Sequence, residues 1–247
     1  MLTQLEIRIV PNAADLFQAA ATEFVSLAAQ AVKNTGRFTV ALSGGSTPKG
    51  LYTLLAGGSI ADIPWDKVFL FFGDERHVPP DHPESNYRMV RETGLLAKVP
   101  AKNVFRVHAE NPHADAAAQA YEQTLRQFFH TPPVEFPRFD LILLGLGPDG
   151  HTASLFPGTT ALTENHRLVV APWVEKFQTH RITLTLPVLN RAGCVVFLVS
   201  GADKTSMVRE VFENKAAELP AQMVRPQEGK LLWLLDRAAG SGLFHKS

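Results

Sequence analysis

Residues 38–48 read FTVALSGGSTP, a short strand-like run followed directly by a glycine-rich loop and Pro48. The first five residues are mostly apolar at consecutive positions, which suits a strand covered on both faces, as in parallel sheets. Proline is well tolerated in the first turn of a helix, so Pro48 indicates that a helix begins here. A buried strand that leads through a tight loop into a helix is the repeating unit of an α/β fold.

The same alternation continues outward in both directions along the 247 residues. Ala-rich stretches with helical spacing at 13–32 and 114–129 predict helices that begin at Asn12 and at Asn111-Pro112. β-Branched or aromatic runs predict strands at residues 6–10, 38–42, 68–72, 139–144, 169–171, 182–186 and 194–200. We therefore expect an α/β sandwich with a mainly parallel sheet.

Two stretches in the second half of the chain carry more specific predictions. Residues 182–186 alternate, with Thr183 and Thr185 on one face, so this strand is expected at an edge of the sheet. Residues 231–235 read LLWLL and are assigned to the core. No repeat or shift in composition divides the chain, so we predict one domain that spans residues 1–247.

Composition and charge exclude several classes of function. The 24 Lys and Arg residues balance 24 Asp and Glu residues, which argues against a nucleic-acid-binding protein, because that needs a basic surface. Cys194 is the only cysteine, so no disulfide framework or cysteine zinc site is expected, and its apolar neighbours predict a buried thiol. No apolar run reaches membrane-spanning length, and Glu6 and Arg8 interrupt the first hydrophobic stretch. We expect a cytoplasmic protein.

Four predicted strands are followed by glycine and polar or charged residues, at 43–48, 73–76, 145–151 and 201–204. Ligands of open parallel sheets bind outside the carboxyl ends of the strands. These four loops are therefore expected to converge on a single site.

The first of these loops is suited to an anion. Small residues stand before the predicted helix, whose first N–H groups and dipole favour negative charge. They are Ser43, Gly44, Gly45, Ser46 and Thr47. The stretch is not a Walker loop, because no Gly-Lys-Ser/Thr follows at the required spacing. The alternative is a tight turn that binds nothing.

Residues 145–151, GLGPDGH, contain a G-x-G-x-x-G pattern and a candidate acid–base pair. Pro148 lies in the turn, Pro157 follows soon after, and no acidic residue ends the next strand, so dinucleotide binding is disfavoured. Asp149 stands two residues before His151, and a carboxylate in that place can orient an imidazole as a general base. The alternative is an ordinary histidine in a surface loop.

Charged residues near the other loops are candidate substrate ligands. Asp74 and Arg76 belong to a cluster that could equally be a solvated group of ion pairs. Arg181 begins a predicted strand and Lys204 lies near a helix start. If both face the site, they supply the cations that a phosphate dianion needs, and otherwise they are surface charges. The histidines lack the i, i+4 spacing of a helical metal site, so no metal is expected.

Together these segments resemble the glucosamine-6-phosphate isomerase/6-phosphogluconolactonase family, and in particular its 6-phosphogluconolactonases. The resemblance covers essentially the whole chain, in the same order. It rests on residues 43–48 (SGGSTP), 73–76 (GDER), 85–87 (SNY), 145–157 (GLGPDGHTASLFP) and 181–190 (RITLTLPVLN). It implies a doubly wound, Rossmann-like α/β sheet with helices on both faces, the fold of the sugar-phosphate isomerases and deaminases.

The resemblance also implies a function. The expected reaction is hydrolysis of 6-phospho-D-glucono-1,5-lactone to 6-phosphogluconate, the second step of the oxidative pentose phosphate pathway, without a metal or organic cofactor. His151 would be the general base, assisted by Asp149. The 6-phosphate would lie among residues 43–47, Arg181 and Lys204, with Asp74 and Arg76 at the sugar end. We further expect a monomer or weak dimer, functionally coupled to glucose-6-phosphate dehydrogenase.

Two alternatives remain open at this point. A deaminase or isomerase of the same family carries a glutamate where this chain has Phe156, and phenylalanine cannot transfer a proton. A non-catalytic sugar-phosphate-binding module would usually be attached to a DNA-binding domain, for which these residues leave no room. The intact pair of Asp149 and His151 favours an enzyme over such a module.

Overall fold

The computed structural model describes residues 4–243, which form a central parallel sheet and a small antiparallel one. The strands are β1 (Gln4–Val10), β2 (Phe38–Leu42), β3 (Val68–Phe72), β4 (Asp74–Arg76), β5 (Val104–Phe105), β6 (Leu141–Leu144), β7 (Val169–Val170), β8 (Trp173–Val174), β9 (Thr179–Leu184), β10 (Cys194–Val199) and β11 (Lys230–Asp236). Seven of them make the parallel sheet, in the order β1-β11-β10-β6-β2-β3-β5. Each of the seven predicted strands is present; β2 and β3 have the predicted bounds, and the other five have ends shifted by one to three residues.

Helices connect the strands of the parallel sheet. They are α1 (Ala13–Thr35), α2 (Ser46–Ala56), α3 (Asn86–Glu92), α4 (Ala114–Phe129), α5 (Leu186–Arg191), α6 (Thr205–Glu213), α7 (Pro220–Met223) and α8 (Arg237–Gly240). The predicted start at Asn12 is confirmed, because its side chain accepts a hydrogen bond from the Asp15 N–H at 3.0 Å. α4 begins at Ala114, two residues after the predicted Asn111-Pro112. Within residues 4–243 no helix is both long and apolar enough to cross a membrane.

The direction of winding reverses in the middle of the sheet. From β2 the chain moves through β3 to β5 at one edge, and from β6 it moves through β10 to β11 towards the other. Because crossovers between parallel strands are right-handed, this reversal puts helices on both faces. The predicted doubly wound α/β fold is confirmed, and its switch point lies between the neighbouring strands β2 and β6.

The expected edge position of residues 182–186 is wrong. Most of this stretch lies in β9, the middle strand of the antiparallel sheet β4-β9-β7, and β8 pairs with β9 as well. The alternation that suggested a solvated face comes from buried threonines with internal hydrogen bonds. The Thr183 hydroxyl donates to the Leu184 carbonyl, and the Thr185 hydroxyl donates to the Arg167 carbonyl. Their polar groups are satisfied inside the protein rather than by water.

The LLWLL stretch is an interior strand of the parallel sheet. β11 lies between β1 and β10, and its Trp233 stacks on Phe197 of β10 with ring centroids 3.9 Å apart. The predicted burial of Cys194 is also confirmed, and burial raises the pKa of its thiol to about 12. The apolar strands thus account for the core in which the sheet is embedded.

Two buried tyrosines hold the carboxyl ends of the neighbouring strands β2 and β3. The Tyr52 hydroxyl of α2 accepts from the Ser43 N–H at 2.9 Å and donates to the Ser43 carbonyl at 3.0 Å. The Tyr121 hydroxyl of α4 accepts from the N–H of Phe72, at the end of β3, at 2.8 Å and donates to the Phe72 carbonyl at 3.0 Å. Burial raises the pKa of both phenols, so they stay protonated and can donate. Each phenol thus supplies the two backbone hydrogen bonds that a neighbouring strand would otherwise make at the end of the ladder.

We expect Tyr52→Phe to lower the free energy of unfolding by about 1–3 kcal/mol, because it leaves the buried N–H and carbonyl of Ser43 without this partner. Denaturant unfolding would measure the loss. Tyr87→Phe is the control, because the Tyr87 hydroxyl makes no hydrogen bond to any residue between 4 and 243; its cost should stay below about 0.5 kcal/mol. Equal losses in the two variants would contradict this role for Tyr52.

Candidate active site

The four predicted loops meet around a cavity of about 250 Å³ at the carboxyl edge of the parallel sheet. They follow β2, β3, β6 and β10, and the cavity lies over the switch point between β2 and β6. The lining residues are 43–48, 145–148 and 151–153 together with Asp74, Arg76, Asn86, Leu198, Val199 and Lys204. The structure therefore brings together most of the predicted site residues on one concave surface.

The loop after β2 presents free N–H groups to this cavity. Within residues 4–243 no hydrogen bond uses the N–H groups of Gly44, Gly45, Ser46 or Thr47. Gly45 has φ +102°, a conformation that favours glycine, and α2 begins at the next residue. An alanine at Gly44 would place its Cβ 2.0 Å from the Asn86 Oδ1 atom. Both glycines are therefore required by the shape of a loop that can receive an anion.

Asp149 and His151 form a hydrogen-bonded pair at the rim of the cavity. The Asp149 carboxylate contacts the His151 Nδ1 atom, and its other oxygen accepts from the Lys176 ammonium at 3.3 Å. Burial acts to raise the pKa of Asp149, but the hydrogen bonds and charge of His151, together with the hydrogen bond from Lys176, outweigh it and lower this pKa. An ionised carboxylate only accepts, so Nδ1 carries the proton in this contact, and in the neutral form of the ring the lone pair is on Nε2.

A glycine makes room for this imidazole. A Cβ atom at Gly147 would lie 2.0 Å from the Nδ1 atom of His151 and 2.1 Å from its Cε1 atom. The first glycine of the same loop, Gly145, has no such neighbour, because its added Cβ would meet nothing within 4 Å. The second glycine of the G-x-G-x-x-G pattern thus makes room for the histidine ring.

Asp74 is held in the cavity wall by two residues that sequence reasoning did not connect with it. The buried Ser154 hydroxyl donates to its Oδ2 atom at 2.7 Å. The amide of Asn86 donates to the Asp74 carbonyl at 3.0 Å and to its Oδ1 atom at 3.3 Å. In the sequence Asn86 stands out only as part of the 85–87 segment that carries the family resemblance, and nothing in a single chain reveals its contact across the fold.

Glu75 shows that the 73–76 segment is not a solvated ion-pair cluster. It is 2% exposed, and its carboxylate accepts from the N–H groups of Arg76, Asn86 and Tyr87 at 2.7–2.8 Å and from the Ser85 hydroxyl. Burial raises the pKa of Glu75 in spite of these donors. The buried carboxylate ties β4 to the start of α3 and so fixes the cavity wall.

The structure places the predicted cations differently. Lys204 lines the cavity, whereas Arg181 does not. Arg181 pairs with Arg76 across β4 and β9, and its guanidinium lies 5.0 Å from the centre of the Phe177 ring. It is buried, and its Nε and Nη1 atoms have no hydrogen-bond partner in the described part of the chain. Burial, and next the charge of Arg76, lower the pKa of Arg181.

We expect Gly147→Ala to displace the His151 ring and break its contact with Asp149, because the new methyl would overlap Nδ1. The measurement is the ¹⁵N NMR signals of the His151 ring, together with an unfolding curve that should show a loss of about 1–3 kcal/mol. Gly145→Ala is the matched control in the same loop and should leave the ring signals unchanged. Unchanged ring signals in Gly147→Ala would show that the loop can accommodate a side chain there.

Comparisons with known proteins agree with this architecture. Residues 11–233 match the family model of glucosamine-6-phosphate isomerases/6-phosphogluconolactonase. The chain is 47% identical over 216 residues to a 6-phosphogluconolactonase of Nostoc sp., covering 86% of this chain and 88% of the relative. It is 43% identical over 212 residues to that of Rattus norvegicus, covering 83% and 80%. A solved 6-phosphogluconolactonase from Trypanosoma cruzi superposes with a TM-score of 0.87 at 31% identity, covering 99% of this chain and 98% of that one. The chain belongs to the family of glucosamine-6-phosphate isomerases and 6-phosphogluconolactonases.

Proposed function

We propose that this protein hydrolyses 6-phospho-D-glucono-1,5-lactone to 6-phospho-D-gluconate, the second step of the oxidative pentose phosphate pathway. The observation that carries the proposal is the Asp149–His151 pair at the rim of a cavity whose wall includes the free N–H groups at the start of α2. The names of the similar proteins support the same substrate. A cytoplasmic location, a monomeric or weakly dimeric state and functional coupling to glucose-6-phosphate dehydrogenase stay predictions.

In the proposed mechanism His151 acts as a general base and then as a general acid. Its Nε2 atom takes a proton from water as the water oxygen attacks the C1 carbonyl carbon, whose π electrons move onto the carbonyl oxygen. The oxyanion then collapses, the bond between C1 and the ring oxygen breaks, and the proton on Nε2 passes to that oxygen. Asp149 orients the imidazole and stabilises its cation. Acid–base catalysis of this kind contributes about 10²–10⁴-fold.

The N–H groups of Gly44 and Gly45 are the proposed donors to the oxyanion. They lie in the cavity wall shared with His151 and make no hydrogen bond to another described residue. Donors that are already fixed in place stabilise developing negative charge without reorganisation.

The proposed phosphate site uses the same loop together with two cations. Helix N-termini bind phosphate, and the Ser46 and Thr47 N–H groups are free. Lys204 reaches the cavity directly. Arg181 adds positive charge from beside Arg76. Its buried Nε and Nη1 atoms have no hydrogen-bond partner among residues 4–243, which fits a site that is completed by an anion. Asp74 and Arg76 are left for the sugar hydroxyls.

The deaminase or isomerase alternative is less well supported by the site. Phe156 is 6% exposed, and its ring lies directly against the imidazole of His151. The position that would need a proton-transferring carboxylate is thus occupied by an apolar ring. Ester hydrolysis does not need a second acid there, because the lactone is already cyclic and activated.

A coupled assay tests the function and the base together. Glucose-6-phosphate dehydrogenase generates the lactone in situ, 6-phosphogluconate dehydrogenase reports its hydrolysis, and spontaneous hydrolysis is subtracted. We expect the wild-type protein to accelerate the reaction and His151→Gln to lower kcat by about 10²–10⁴-fold, because the proton acceptor is lost. His108→Gln is the control, since that side chain is 65% exposed and lies outside the cavity wall.

The outcomes of this assay separate the two claims. Equal acceleration by wild type and His151→Gln would keep the function and overturn the base. Acceleration by neither protein would overturn the function and favour a binding module, which ligand-induced thermal shifts with sugar phosphates would then detect.

We expect Lys204→Gln to raise KM for the phosphorylated lactone by about tenfold, with a smaller change for unphosphorylated glucono-1,5-lactone, because the lost charge faces the phosphate. Arg181→Gln should also raise this KM. Lys33→Gln is the control, since Lys33 lies in the last turn of α1, before β2 begins, at the opposite edge of the sheet. An unchanged KM in Arg181→Gln would show that Arg181 does not hold the phosphate.

A further inference from the structure

The ring of Phe156 lies against the imidazole of His151, with centroids 4.1 Å apart and an angle of 28° between the planes. Phe156 is buried, and it is the closest aromatic neighbour that the structure gives to this histidine. The contact is stacked, so one face of the imidazole is covered by an apolar surface that neither donates nor accepts a proton.

A tight turn brings the two rings together. The Leu155 N–H donates to the Thr152 carbonyl at 2.9 Å, which folds the chain back between His151 and Phe156. Ala153 in this turn has φ +48°, a left-handed conformation that costs about 1–2 kcal/mol for a residue with a Cβ atom. The turn is therefore not a relaxed local structure and needs support from elsewhere in the fold.

That support comes from the walls of the site. The Ser154 hydroxyl donates to Asp74 at 2.7 Å, and the Ser154 N–H donates to the Thr183 hydroxyl at 3.2 Å. Phe156 also meets Phe177 edge-on, with centroids 5.7 Å apart. The strained turn is thus fixed at its middle and the phenylalanine ring has a second aromatic contact, so Phe156 is held where it meets His151.

The contact matters chemically because His151 alternates between neutral and cationic forms in the proposed mechanism. An aromatic face attracts a neighbouring cation through its quadrupole but does not compete for the proton on Nε2. The charged groups that face this imidazole or border the same cavity and turn are Asp149, Lys176, Asp74, Arg76, Lys204 and Arg181. Four of these six groups carry positive charge, and like charge disfavours the protonated imidazole. A neighbour that stabilises the imidazolium therefore opposes the effect of these cations.

We propose that Phe156 is a positioning residue that fixes the plane of the His151 imidazole and stabilises its protonated form during proton transfer. This inference rests on the proposed role of His151 as the base. Phe156 would then have a role in addition to packing. It occupies the position of the carboxylate of the deaminases, and its ring also orients the base.

Kinetics of Phe156→Leu and Phe156→Tyr test the proposal. Leucine keeps an apolar side chain but lacks the ring, so we expect kcat to fall by about tenfold, KM to change by less than about twofold, and the acid limb of the pH–rate profile to move to lower pH. Tyrosine keeps the π face and should restore kcat to within about threefold of wild type. Phe69→Leu, in β3 and away from the cavity, controls for loss of stability alone.

Equal losses of kcat in the leucine and tyrosine variants, or a wild-type profile in Phe156→Leu, would overturn the proposal. An NMR titration of the His151 ring keeps the test independent of turnover. Its midpoint should move to lower pH in Phe156→Leu and remain in place in Phe69→Leu. Suppose that the wild-type protein fails to hydrolyse the lactone but the midpoint of the His151 titration still moves in Phe156→Leu. The proposed function then fails, and the effect of the stacking contact stands. If the midpoint does not move, the stacking proposal fails.

Discussion

The separation of β2 from β6 at their carboxyl ends is the constraint on which the rest of the site depends. Their ladder contains only the pairs Val40–Leu141 and Ala41–Ile142. At the amino-terminal end of this ladder the Asp140 carboxylate links the two strands. It accepts from the Thr39 N–H at 2.8 Å and from the Thr39 hydroxyl at 2.7 Å. Beyond them the chain winds away in opposite directions on either side, and a crevice must open. The cavity is therefore a consequence of the topology.

Opening such a crevice leaves backbone polar groups near the core without strand partners. The structure offsets this cost with hydrogen bonds from buried side chains. Tyr52 and Tyr121 bind both polar groups of Ser43 and Phe72, and Glu75 collects the N–H groups at the start of α3. Within residues 4–243 the N–H groups before and in the first turn of α2 have no hydrogen-bond partner, and their residues line the cavity. Unpaired donors thus remain where an anionic ligand can use them.

Much of this could be predicted from the sequence, because local chemistry decides it. Glycine-rich loops after buried strands and the Asn12 cap are local signals, and the Asp149–His151 pair lies within one loop. The antiparallel sheet was not predictable, because its buried threonines imitate a solvated face. The apolar run of β11 has no period that separates a strand from a buried helix.

Contacts across the fold account for what the sequence analysis missed at the site. Asn86 and Ser154 reach Asp74 from segments 12 and 80 residues away, and nothing local marks them for this role. Arg181 carries the predicted charge, yet its register opposite Arg76 in β9 places it outside the cavity wall. Residue type predicted the chemistry, and strand pairing decided which side chains face the ligand.

The most direct test of this account is a crystal structure of the His151→Gln variant with bound 6-phosphogluconate. We expect the phosphate to lie at the N–H groups of Ser46 and Thr47 with Lys204 beside it, and the C1 carboxylate to lie next to residue 151. A phosphate bound beside residue 151, or a product bound outside the cavity between the loops after β2 and β6, would contradict it.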